Sequence, residues 1–582
     1  MAAIKLTGFT GEQPRIIPRL MPAAAAQAAL DTRLDDGGLT PMRKTALIAT
    51  AASSALQTIY RHGVDWLGWE TVVHAVPGPV ASDRLYYTGD GVPKMRVGED
   101  IYELAIDPPA VALTAATDGA GSGDVTTRVY VYTWVTSFGE ESEPCPASNA
   151  IDWQPGDTIT LSGFGATPAD RAITHQRIYR SQTGQSGTYF YLIAERVAGT
   201  GDFTDDIAVD AFQEPLPSAS WNAPPDTLEG LIALPNGMMA AFSGRDLYFC
   251  EPYRPHAWPQ KYALAVDSDI VGLGAVGTTV IIMTEKHPYM AAGVTPETMQ
   301  MQKMEQNLPC INARGIVDLG YAIAYPSHEG MVVVRADGAF AIATGNIFNR
   351  EGWLALSPST MIGAQLSGRY FAFYDTTATD GSIQTGALLL DLSGESFLIR
   401  TEASATAAFY EVSSGGLFFL KSGTDEIRQF DAPNAARRTQ YWKSKQFVLP
   451  QPLNFGAIQI DATGIVTNQE EENLEDDIAA VIAANETLIA AGSVGGEIDG
   501  GLLDAYPLDG DMLTPIPQPS PNILTVGIYA DQVRVASVTR ANRPVRLPGG
   551  FLARTWEIDV FGDVQVEQIV MAQTIDELKQ VA

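Results

Sequence analysis

Cys250, Glu251 and His256 fall within the stretch "YFCEPYRPHAWPQKY", residues 248–262. A thiol, a carboxylate and an imidazole are the parts of a nucleophile with its base, or of a metal site. The spacing argues against both. A histidine six residues after a cysteine, with Pro252 and Pro255 between them, cannot share a helix face with it, and no second histidine lies nearby to complete a metal set. The stretch reads instead as a strand ending at Phe249, then a loop in which Pro252, Pro255 and Pro259 hold Tyr253, His256 and Trp258 against a neighbouring element. Tyrosine and tryptophan have the amphipathic size that subunit contacts favour, which makes Tyr253, His256 and Trp258 the candidate interface residues.

Gly272-Leu-Gly274-Ala-Val-Gly277, with Glu297 twenty residues on, has the form of a dinucleotide-binding turn. Such a turn must open a helix so that the pyrophosphate meets the helix N-terminus. The residues that follow, "TTVIIMT", are β-branched and strand-like, so these glycines read as turns between strands. The six histidines, His62, His74, His175, His256, His287 and His328, are scattered singly. Acid pairs such as Asp205 with Asp206, and Asp509 with Asp511, would suit glycoside hydrolysis or calcium, but solvated turns carry such pairs routinely. No H-E-x-x-H, Walker loop, G-x-S-x-G or sialidase-type box is present. No catalytic, cofactor-binding or metal-ligating residue is assigned, and the chain is not expected to be an enzyme.

The elements that would position these residues are mostly strands. A chain of 582 residues exceeds one core, and 46% hydrophobic against 18% charged residues excludes global disorder. Fifty-four glycines and 36 prolines punctuate short apolar runs, as in many short strands joined by turns. The formal charge is 37 − 68 = −31, so the chain lacks the cationic excess that grips nucleic acid through counterion release. An acidic wall is nevertheless one that a polyanion slides past without sticking. Cys145, Cys250 and Cys310, odd in number and widely spaced, point to a reducing compartment of synthesis rather than a disulfide framework. No signal peptide is read at the N-terminus and no apolar run is long enough to span a membrane.

Along the chain, residues 1–45 read as an extended arm, with Pro14, Pro18 and Pro22 against helix and a short helix expected over Ala23 to Leu34. Residues 46–105 read as a first propeller blade. Over 106–220, alternating runs such as "RVYVYTWVTSFGEESEP", "HQRIYRSQTG" and "TYFYLIAERV" predict a small β-sandwich, and the order "YTWVTSFGEESEP", "RIYRS", "GDFTDD" resembles a fibronectin type III module. From 226 to 440, similar units begin near Gly230, Gly272, Gly315, Gly363 and Ala405, at offsets of 42, 43, 48 and 42 residues. That period matches β-propeller blades and predicts five or six of them. Residues 441–582 read as a second β-sandwich carrying a helix-and-loop insertion over 468–522. In its helix, Leu474, Ile478, Val481, Ile482, Leu488 and Ile489 are expected to share a face. The expected fold is therefore mainly β, a propeller-like domain with an inserted and a C-terminal sandwich.

Three stretches carry a resemblance across nearly the whole chain: "PRIIPRLMPAAAAQAALDTRLDDGGLTPMR", "LPNGMMAAFSGRDLYFCEPYRPHAWPQKYALAVDSDIVGLGAVGTTVIIMTEKHPY" and "RPVRLPGGFLARTWEIDVFGDVQVEQIVMAQTIDELKQV". The chain resembles the tail-tube or nozzle proteins of short-tailed bacteriophages, most specifically over 235–289. The resemblance implies a structural virion protein, made in the host cytoplasm and located in the tail. It implies a homohexameric ring below the head-to-tail adaptor, through which double-stranded DNA leaves without sequence-specific binding, with lateral surfaces for fibres or spikes. A gate would sit in the acidic insertion, for which Glu470, Glu471, Glu472, Glu475, Asp476, Asp477, Asp509 and Asp511 are the candidates. The competing expectation is a tail spike or receptor-binding protein that recognises host glycans.

Overall fold

The computed structural model describes residues 3–169, 171–184, 187–208, 211, 213–377, 382–392, 397–463, 468–491, 514 and 523–581. Strand accounts for 48% of the chain and helix for 8%, which makes it mainly β, in many small sheets. It divides into two compact units, one of residues 46–396 and 402–430, the other of residues 1–45, 397–401 and 431–582.

The larger unit is propeller-like. Its first antiparallel meander runs His74–Pro77, Arg84–Thr88, Lys94–Val97, Asp100–Glu103. The second runs Glu229–Ala233, Met239–Ser243, Asp246–Phe249, Leu264–Ala265. The third runs Ile270–Val276, Thr279–Thr284, Tyr289–Ala292, Gln300–Lys303, and the fourth Val317–Asp318, Ala322–Ser327, Gly330–Arg335, Phe340–Ile342. A fifth includes Ile362–Leu366, Arg369–Thr377 and Ile383–Asp391. The sixth, Ala405–Glu411, Gly416–Lys421, Glu426–Gln429, takes its outer strand, Ala46–Thr50, from the start of the unit. The first strand of each meander neighbours the first strand of the next, and that of the sixth neighbours the hairpin Thr58–His62, Asp65–Trp69.

The second strand of the third meander is buried on both faces between adjacent sheets, and so reads as a continuous apolar run, "TVIIMT" of Thr279–Thr284. The segment 46–105, expected as one blade, instead supplies strands to three sheets. The physical reason is the exposed edge of the last meander: a strand from the start of the unit satisfies its unpaired backbone groups.

Between the first and second meanders, residues 106–220 form a two-stranded sheet, Thr126–Arg128 with Ile151–Trp153, and two three-stranded ones. One is Thr114–Thr117, Ile159–Ser162, Phe203–Asp205, and the other Tyr130–Thr136, Ile173–Gly184, Gly187–Val197. Tyr130, Tyr132, Trp134 and Ile178 of the second pack over Ala115, Ile159 and Leu161 of the first in one core. Within it Asp205, whose side chain is fully buried, is held by Arg128, Arg180 and the Tyr130 hydroxyl, the last at 2.6 Å. That places Asp205 away from its exposed neighbour Asp206 and removes the pair as a calcium or hydrolytic site.

In the smaller unit, Phe397–Thr401, Ala26–Leu30, Gln440–Ser444, Ala553–Gly562, Leu524–Ala530 and Val533–Val538 follow one another across one sheet. A second sheet orders Ala3–Leu6, Gln565–Ala572, Ala457–Thr463, Val545–Arg546. The expected helix over Ala23 to Leu34 is not formed; Ala26–Leu30 is a strand. Alanine is a strong helix former locally, but tertiary pairing prevails. Ala26 and Ala29 are fully buried between flanking strands, and the bulge at Ala26 to Ala28 is stabilised by Glu12, whose carboxylate accepts the Ala29 N–H at 3.0 Å. Glu12 also pairs with Arg400 at 2.9 Å, and Asp31 with Arg438 at 2.9 Å, tying residues 1–45 into this unit. In Ala553–Gly562 the expected alternation is present in Trp556, Ile558 and Val560, all buried, but Glu557 and Asp559 on the other face are also only 6% exposed. They are engaged there by Gln27 and by Gly527 and Tyr529. Helix Asn468–Ala490 forms as expected from the sequence.

Candidate functional site

The stretch 248–262 leaves the third strand of the second meander and folds back in a loop held by backbone hydrogen bonds, both within it and to Gly237 and Asn222. Tyr253 N–H donates to Gly237 O, Arg254 N–H to Glu251 O, Glu251 N–H to Ala257 O and Trp258 N–H to Asn222 O. Trp258 is 1% exposed and sits with Cys250, Met239, Leu228, Leu231, Tyr86 and Met95 in one cluster that joins the first and second meanders. Its indole N–H donates to Pro255 O at 2.7 Å, so the polar end of the ring is satisfied inside the loop. His256 is also buried, with its ring edge-on to Trp221 at 5.8 Å. Trp258 and His256, candidates for an interface, are thus core residues of this chain. A loop braced by three prolines points them inward, and only Tyr253, at 58% exposure, presents a surface. Tyr253 adopts a left-handed backbone (φ 58°) while its ring lies over Gly237, where an added Cβ would stand 2.7 Å from the ring.

The chemistry of the cluster is correspondingly quiet. Burial pushes the Cys250 thiol up to about 12, and its sulfur accepts the Met239 N–H at 3.0 Å. Cys145 and Cys310 are pushed up to about 11 and about 12 by the same cause. None is a thiolate near neutrality, which is the form a nucleophile requires. Burial, then the nearby Arg171 and Arg254, hold the His256 imidazole down at about 3, so the ring is neutral. Glu251 is occupied by the Tyr262 hydroxyl at 2.9 Å, which lies 2.7 Å from Glu297 as well.

The glycines of 272–277 lie in strand Ile270–Val276 and the turn after it, with no helix following. A Cβ on Gly274 would approach Ile323 of the fourth meander at 2.7 Å, and Gly277 turns the chain at φ 62°. These positions serve close packing of sheets and a hairpin turn.

A polar cluster that the sequence does not single out surrounds His256. Glu140, on the turn after Tyr130–Thr136, accepts from Arg171 at 2.5 Å and lies 3.7 Å from Arg84 and 3.9 Å from His256 Nδ1. Arg171 is 2% exposed, and the Arg84 guanidinium covers the Phe138 ring at 4.9 Å. Tyr86, fully buried, has its hydroxyl pushed up to about 12 by burial and by Glu140. These residues come from segments 84–86, 138–140, 171 and 256, so no local spacing announces them.

Of the candidate gate residues, Glu470, Glu471, Glu472, Glu475, Asp476 and Asp477 fall on the backbone of helix Asn468–Ala490, and their side chains lie outside the described residues. Asp509 and Asp511 lie outside the described residues altogether. On the same helix Ile478, Val481 and Leu488 are half-buried, whereas Ile482 and Ile489 are 39% and 58% exposed, a narrower stripe than expected. Asn485 exchanges two hydrogen bonds with the backbone of Thr514, at 2.8 and 2.9 Å. Among the described residues no group of three or more His, Cys, Asp or Glu could hold a metal ion. No helix among them is long and apolar enough to cross a membrane.

No family model matches the chain, and no curated protein matches it. Similar solved structures include the N-terminal domain of Nup159, at 9% identity and TM-score 0.21, covering 38% of this chain and 58% of that one. They also include PorZ, a surface component of the type-IX secretion system of Porphyromonas gingivalis, at 12% identity and TM-score 0.20, covering 65% and 42%. A third is the Neurospora crassa Pan2 WD40 domain, at 8% identity and TM-score 0.23, covering 48% and 84%. The chain thus spans less than two thirds of the first two.

Proposed function

We propose that the protein is a structural component of a short-tailed phage virion, the distal tail tube or nozzle through which the genome is ejected. The observation that carries the reading is how the stretch most similar to that family, 235–289, is used. Cys250 and Trp258 pack between meanders, His256 is buried against Trp221, and Gly274 allows close approach of sheets. A scaffold uses its residues in this way.

In this reading six copies form a ring attached below the head-to-tail adaptor, with tail fibres or spikes on lateral surfaces. Six chains at −31 each carry roughly −190 formal charges, which favours passage of double-stranded DNA without adhesion. The acidic insertion 468–522 is the proposed gate, because a long acidic segment can line a conduit and move. Averaged electron microscopy of assembled particles, with a label in the 226–450 region, tests the reading. A six-fold ring at the distal tail with DNA density above it is the expected result. A three-fold object, or label on peripheral appendages, overturns it in favour of a glycan-recognising spike.

A further inference from the structure

Residues 532–556 hold Arg534, Arg540, Arg543, Arg546 and Arg554 and no acid, whereas the rest of the chain carries 37 − 5 = 32 cations against 68 acids, a formal −36. The stretch before it is the reverse: residues 446–533 hold 14 acids and neither lysine nor arginine. We propose that this arginine face is a docking surface for a second copy of the chain, and that it takes the acid-only run of that copy.

All five arginines are exposed, and among the described residues none of them forms an ion pair. They lie along two sheet edges of the smaller unit. Arg534 is on Val533–Val538, the outermost strand of the first sheet, and Arg546 on Val545–Arg546, the outermost of the second. The segment that carries Arg540 and Arg543 runs beside Ala457–Thr463, where Asn542 N–H donates to Ile460 O at 2.7 Å and Ala457 pairs with Arg546. Arg554, near the start of Ala553–Gly562, donates through Nε to Leu449 O at 3.3 Å. The acids on the adjoining turn and strand are engaged elsewhere: Asp531 accepts the Arg554 and Thr555 N–H groups at 3.2 and 2.9 Å, and Asp461 accepts from Gln459 and Gln568. Val448, paired with Thr555, and Val533 and Leu552 stand among the arginines at 46%, 65% and 69% exposure. Arginine interleaved with exposed apolar side chains is the composition of a protein contact.

The charge balance selects the partner. Two copies of an acidic chain repel over most of their surfaces, so contact is favoured where the cationic face of one meets an acidic run of the other. Pro544 lies at the second edge and has no N–H to give, so recognition there falls to side chains rather than to an added strand. The planar fork of arginine binds carboxylates through paired hydrogen bonds, and no lysine stands in for it between residues 446 and 578. The two surfaces differ, so the contact is head-to-tail, the kind that can close into a ring. The ring rests on the nozzle reading above; the pairwise contact does not need it.

Sedimentation velocity of the full chain over a concentration series at low salt tests the contact. Association that grows with concentration and falls with added salt is expected. R540E/R543E/R546E, which makes the face acidic, and E470K/E471K/E472K, which makes the run basic, should each weaken it roughly 10- to 100-fold. Mixed in equal amounts, the two reversed chains should recover it, since each presents the charge that the other's altered surface requires. A native chain that stays monomeric at low salt overturns the contact, and so do two reversed chains that stay apart when mixed. Self-association that the arginine reversal leaves intact refutes this face while sparing the ring reading. Arginine-dependent binding of a DNA duplex without arginine-dependent self-association assigns the face to phosphates instead and overturns the contact. Should a reversal fail to fold, R540Q/R543Q/R546Q replaces it, and an unchanged association then overturns the contact.

Discussion

Replacing Trp258 by alanine separates a core residue from an interface residue. Trp258 is 1% exposed and packs on Cys250, Met239, Leu228 and Leu231. A buried tryptophan removes on the order of 200 Å² from water, worth ~5 kcal/mol at ~25 cal/mol per Å². Partial collapse of the cavity returns some of this, while the Pro255 carbonyl loses its donor, so the expected net loss is about 4 kcal/mol. Cys250 beside it is fully buried and reports the event directly. With labelling limited by a fast opening equilibrium, 4 kcal/mol raises the rate of Cys250 alkylation roughly 10³-fold in the isolated chain, read by peptide mass. Tyr253→Ala, at an exposed site, should change that rate less than about threefold. A W258A chain whose Cys250 is labelled within tenfold of the native rate, but which fails to assemble, would refute the packing argument and restore Trp258 to a surface.

Asp205→Asn leaves Arg128 and Arg180 buried without a counter-charge, and should destabilise the inserted module by about 3–5 kcal/mol in thermal or urea unfolding; a loss under 1 kcal/mol would mean that the pair is solvated. The three thiols, all buried and pushed up to about 11 or 12, should be inert to a thiol reagent in the native protein at pH 8 and react only in denaturant. Rapid native labelling of any of them would contradict the burial. Gly274→Ala places a methyl 2.7 Å from Ile323 and should cost about 1–3 kcal/mol through strain between the third and fourth meanders; an unchanged unfolding midpoint would show that the sheets part freely there.

Local pattern carried the class of this fold. Short β-branched runs between glycine turns, recurring at about the length of a four-stranded meander, are set by the two-residue period of a strand and by turn chemistry, both of which act between near neighbours. The same holds for helix Asn468–Ala490, for the strand that ends at Phe249, and for the strand character of "TTVIIMT". Long-range pairing decided the rest. Ala26–Leu30 is a strand because two distant strands flank it, and Ala46–Thr50 joins a meander almost four hundred residues on because that meander has an open edge. Which way a side chain points in an irregular loop is equally non-local: Trp258 and His256 turn inward because a pocket lined by Met239, Leu228 and Tyr86 awaits the first, and Arg84, Tyr86, Glu140 and Arg171, all at least 85 residues earlier in the chain, gather around the second. Spacing along the chain records neither, since contacts between remote segments are set by the free energy of the assembled core rather than by the residues on either side.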